Sequence, residues 1–102
     1  MKKTLLVAAM ALCLLPPTIC QAADDAALFV QKCGSCHKRG GQAPAVNPAD
    51  KAGIVWKKYF DRGRHPVDLA QTVSDSDLGV VISYLQDHAA DSDQPATAVI
   101  PK

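Results

Sequence analysis

The sequence predicts an all-α fold of about three helices, on three observations. Apolar residues recur at three- and four-residue steps in the last third of the chain, Asp, Asn-Pro and Ser start signals precede the apolar stretches, and no run alternates well enough for a strand. No internal repeat or low-complexity segment interrupts this pattern.

The first segment is a leader rather than part of the fold. Met1-Lys2-Lys3 is a charged start, residues 5–15 are an apolar core too short for a comfortable membrane span, and Ala22-Ala23 is a small-residue exit. Residues 1–23 therefore read as a cleaved signal peptide, and residues 24–102 as one domain with a short tail from about residue 91. Lipidation at Cys20 is the lesser alternative, because Ile19 stands where a lipoprotein peptidase prefers a small side chain. A periplasmic location without a transmembrane anchor is the expectation.

Cleavage changes the balance of the chain. Cys13 and Cys20 leave with the leader, so only Cys33 and Cys36 remain. Loss of Lys2 and Lys3 reduces the 11 Lys and Arg to nine, against 10 Asp and no Glu. A nearly neutral domain gives no reason to expect nucleic acid as a partner.

The first helix is expected from a cap at Asp24 or Asp25, through Ala27, Leu28, Phe29 and Val30, into Cys33-Gly34-Ser35-Cys36-His37. C-x-x-C-H is the arrangement that carries a covalently attached c-type haem. Two thiols at this spacing on one side of a helical turn can add to the two vinyl groups, while the adjoining imidazole is the proximal ligand to iron. A thioredoxin-like pair would want a βαβ context, and structural zinc would want further ligands, for which only His65 and His88 remain, at unsuitable spacing. The fold class is thus about three helices wrapped around one covalently bound haem c. Such a cofactor would complete a core that roughly 80 residues could build only marginally.

A loop over residues 38–46 follows. Asn47-Pro48 then reads as an N-cap with proline at the first helical position, opening a second helix through Ile54, Val55, Trp56, Tyr59 and Phe60 that Gly63 ends. Ser74 with Asp77 resembles a weakened capping box, and Leu78, Val81, Ile82, Leu85 and Ala89 form the apolar face of a third helix. The tail contains Val99 and Ile100, more apolar than a free terminus requires, and is expected to pack back within a monomer.

With these parts in this order, the domain resembles the small soluble class I cytochromes c. The resemblance implies that Phe29 crosses the last helix at Val81, Tyr84 and Leu85, with Asp25 and Ala26 where the family often has a small residue, usually glycine. It implies that the Pro44 carbonyl holds the proximal His37, with Pro48 as the second choice. It also implies a sixth iron ligand in the loop before the last helix, usually methionine followed by proline. Met1 and Met10 both belong to the leader, and Gly63-Arg64-His65-Pro66 occupies the place of that loop. His65 is therefore the expected distal ligand, since proline at 66 biases it toward extended backbone. Without the resemblance, a histidine in a basic loop would be a solvated side chain. His88, beside Asp87 and Asp91 at the end of the last helix, is the competitor and is explained by charge alone.

Two imidazoles favour ferric iron relative to an imidazole and a thioether, so the expected function is low-potential, one-electron transfer rather than catalysis. A gas-binding or redox-sensing haem module is the alternative, if His65 leaves the iron or never reaches it. A peroxidase would need distal acid and base groups that the sequence does not supply. Trp56 and Arg64 are candidates for holding the haem propionates, among Lys57, Lys58, Tyr59 and Arg62. The same basic cluster, near the haem edge, is a possible docking surface for an acidic redox partner protein.

Overall fold

The computed structural model describes the backbone of residues 18–102 and the side chains of residues 24–102. Most of the predicted leader lies outside the described residues. Three α-helices make up the framework: α1 over Thr18–Cys33, α2 over Gly53–Asp61 and α3 over Asp75–Asp87, with single 3-10 turns at Pro48–Asp50 and Leu69–Gln71. No strand forms among the described residues; the one β-bridge, between His37 and Ala43, is isolated. No helix among them is long and apolar enough to cross a membrane.

The start of α1 differs from the sequence expectation. Asp24 and Asp25 lie inside the helix, which begins at Thr18. Pro17 immediately precedes that residue, and Gln21, Ala22 and Ala23 favour continuation, so nothing stops the helix at the aspartates. Its far end is as expected: α1 finishes at Cys33, and the N–H groups of Cys36 and His37 both point back to the Cys33 carbonyl, at 3.3 and 2.9 Å.

The second predicted helix is broken in two. Asn47 and Pro48 open only a 3-10 turn, after which Lys51 is extended and α2 starts afresh at Gly53. The reason lies in the hydrogen bonds. Asn47 does not cap with its side chain, whereas the Gly53 N–H is taken by the Asp91 carboxylate at 2.9 Å. That carboxylate comes from the chain beyond α3 and complements the positive end of α2. Gly63, at φ 59°, ends α2 in the left-handed conformation that glycine adopts without penalty, and its N–H returns to the Phe60 carbonyl at 3.1 Å.

The third helix matches its sequence pattern closely. Ser74 accepts from the Asp77 N–H at 3.2 Å, and Val81, Leu85 and Ala89 are fully buried on the predicted face. Around them gather Phe29 from α1, Trp56 from α2, Tyr84 and the tail residue Ile100. Helix α3 is thus the centre of the fold, packed against both α1 and α2. The tail closes the core from the other side, within the chain.

Candidate haem attachment site

The attachment motif straddles the end of α1, where the chain leaves the helix but keeps turning. Cys33 is half-buried and Cys36 exposed, and both thiols are free. Burial pushes the Cys33 thiol up to about 11, and the nearby Cys36 adds to the shift. Gly34 suits this tight exit, since a Cβ there would run into the Val30 carbonyl oxygen. Beyond His37 the loop doubles back, with the Ala43 N–H donating to the Cys36 carbonyl at 3.0 Å. This places the Pro44 carbonyl 2.9 Å from Nδ1 of His37. The runner-up, Pro48, does something else: its carbonyl accepts the Trp56 indole N–H at 2.8 Å.

His65 lies across from His37. Their ring centroids are 6.1 Å apart, with 64° between the ring planes. The His65 Nδ1 is 2.9 Å from the Val67 carbonyl and 3.3 Å from the Val67 N–H. These two contacts require opposite tautomers; the proton on Nδ1, which would donate to the nearer carbonyl, would leave Nε2 able to bind a metal. In both rings Nδ1 faces a backbone carbonyl.

A centroid separation of 6.1 Å leaves space between the two rings for one ion that both could hold. An imidazole whose other N–H is held by a carbonyl is the usual outer arrangement of a ligating histidine. Free thiols at Cys33 and Cys36 and this imidazole pair are together the donor set that a covalent haem requires.

The remaining candidates fall elsewhere. Trp56, the propionate candidate, is buried, and its indole N–H donates to the Pro48 carbonyl. Lys51 sits 5.8 Å over the same indole ring. Arg64 is exposed beside His65, with its backbone N–H 3.5 Å from the Tyr59 carbonyl. Lys57 pairs with Asp61 at 2.8 Å on the surface of α2. His88, the residue after α3, contacts the tail: its Nδ1 is 2.8 Å from the Gln94 carbonyl, and its ring lies 4.8 Å from that of Tyr84. Tyr59, read from the sequence as part of the second helix and of the basic cluster, flanks His65, with ring centroids 6.5 Å apart.

One buried polar residue escaped the sequence reading. Asn47 is completely buried, and its amide makes two bonds to Ile100, accepting from the N–H at 2.8 Å and donating to the carbonyl at 3.0 Å. Asn-Pro announces a helix start, and nothing local in that dipeptide points to a partner 53 residues away. Comparison with protein families, with curated proteins and with solved structures found no match to this chain.

Proposed function

We propose that this chain is an exported monohaem c-type cytochrome of the class I kind, working as a low-potential one-electron carrier with His37 and His65 as axial ligands. The observation that carries the reading is the 6.1 Å separation of these two rings, each with Nδ1 against a backbone carbonyl. When bound, the haem supplies the redox couple itself. Cys33 and Cys36 hold it through thioethers, and the Pro44 carbonyl orients His37 and raises its basicity. If His37 and His65 both hold the iron, the metal would offer no place to a substrate, which suits outer-sphere transfer.

The surroundings can receive a flat apolar group. Val30, one turn before Cys33, and Val67, two residues after His65, are 41% and 60% exposed. Aliphatic side chains beside both ligand segments offer contact area to a macrocycle and would lose water on binding it.

A second reading, a gas-binding or redox-sensing module, rests on the way His65 is anchored. Its ring bonds only two residues along its own loop, whereas His37 is held across seven. A locally held ligand can leave with its loop. The deciding experiment is the absorption and electron paramagnetic resonance spectrum of the purified holoprotein, with and without carbon monoxide. Low-spin ferric haem that ignores the gas when reduced supports the carrier. High-spin iron that binds the gas supports the module, and a chain purified without covalent haem from a host competent in cytochrome maturation rejects both.

A further inference from the structure

The loop that supplies the proximal carbonyl is not held by local contacts alone. Upstream of Pro44 it is tied to the haem motif, through the Ala43 N–H and the Cys36 carbonyl at 3.0 Å. Downstream it is tied to the last residues of the chain. The Ala49 N–H donates to the Ala96 carbonyl at 2.9 Å, and three residues after Pro44 the buried Asn47 amide pairs with both backbone groups of Ile100.

Asn47 is itself immobilised. Its backbone N–H donates to the Asp50 carboxylate at 2.8 Å, and the Asp50 N–H returns to its carbonyl at 3.0 Å. The next residue, Pro48, receives the Trp56 indole. The tail is equally fixed, since Ile100 is 3% exposed within the core and the Ala96 N–H reaches the His88 carbonyl at 3.0 Å. A primary amide facing a backbone N–H and C=O reproduces one rung of a β-ladder, with both polar groups satisfied out of reach of solvent. Fully satisfied buried networks of this type specify one arrangement.

We infer that Asn47 is a positioning residue for the proximal ligand: its paired bonds to Ile100 lock the 44–50 segment to the C-terminal tail, so that the tail sets how firmly the Pro44 carbonyl holds His37. The inference rests on the haem reading above. When the lock opens, the segment regains freedom three residues from Pro44, the His37 N–H bond weakens, and the imidazole becomes a poorer donor to iron. Ferric iron then loses more than ferrous iron, so the midpoint potential rises.

The test compares three variants of the holoprotein. Asn47→Ala removes both bonds, a stop after Ala98 removes their partner together with the 3.9 Å contact of Lys102 with Asp50, which Asn47→Ala leaves in place, and Ile100→Ala trims core packing while keeping the backbone groups that pair with Asn47. Midpoint potential and solvent exchange of the His37 Nδ1 proton are read in each, with thermal stability alongside. The expected result is a higher potential and faster exchange in the first two, and native values in Ile100→Ala despite its lower melting temperature. Equal shifts in all three would mean that general loosening, and not the amide pair, acts on the ligand; native values in all three would also overturn the assignment. If Asn47→Ala does not fold, the truncated chain against Ile100→Ala decides the question. A wild-type chain that carries no haem would instead reject the functional reading, an outcome recognisable before any variant is made.

Discussion

Phe29 of α1 and Tyr84 of α3 meet with ring centroids 5.6 Å apart and planes tilted by 40°. Residues more than fifty positions apart thus form the crossing on which the core is assembled, in the separation range where aromatic pairs add to simple burial. Phe29 is 1% exposed. Phe29→Ala should cost about 3–5 kcal/mol, a large part of the roughly 5–15 kcal/mol that holds a domain together. Chemical denaturation of the holoprotein checks this, and a loss below 1 kcal/mol would show that the crossing contributes little.

Tyr84 gives the fold a pH dependence of known sign. Burial, followed by the charge of Asp25, raises its phenol above the usual 10.0. The folded state therefore keeps the proton at a pH where the unfolded chain releases it, so this contribution is full below pH 10 and is lost as pH rises above it. Melting temperatures between pH 8 and 11 should fall more steeply for the native protein than for Tyr84→Phe. Parallel curves would contradict the shift.

His65→Ala should open the sixth coordination position. The expected signs are ferric high-spin character and carbon monoxide binding when reduced. His65→Met, where the sulfur reaches the iron, should raise the midpoint potential, because a thioether favours the ferrous state. A potential and spectrum unchanged in both variants would show that residue 65 does not bind the metal.

The turn after His37 has no room for a side chain at Gly41. A Cβ there would lie 2.5 Å from the Cys36 carbonyl oxygen and 3.1 Å from that of Lys38, both backbone atoms. Gly41→Ala should cost about 1–3 kcal/mol by overpacking and disturb the return of the loop to His37. Thermal melts together with the haem spectrum would register both effects.

Docking of an acidic partner at Lys58, Arg62 and Arg64 would make the electron-transfer rate fall with ionic strength. Lys57 already pairs with Asp61 on the exposed face of α2, so Lys57→Gln should change that rate less than Arg64→Gln does. Stopped-flow mixing with a candidate partner at low and high salt measures this directly.

What the sequence revealed followed from short-range chemistry. The Ser74 cap, the glycine stop at Gly63, the periodic face of α3 and the end of α1 at Cys33 are all written within a few residues of where they act, and the structure has each in place. The misreadings arose where distant groups outcompeted local ones. Asn47 had every local reason to cap a helix, yet Ile100 holds its amide. Asp91 read as a companion to His88 and in fact caps α2. Such exchanges depend on which backbone groups the tertiary fold leaves unpaired, and no dipeptide records that.

The acceptors facing the two imidazoles are main-chain carbonyls, those of Pro44 and Val67. A peptide oxygen neither gains nor loses a proton over the range in which living cells operate, unlike the aspartate or glutamate that often stands behind a ligating histidine. On the proposed reading, the voltage that these ligands impart would then stay level as the acidity of the surroundings drifts, because nothing behind either ring titrates.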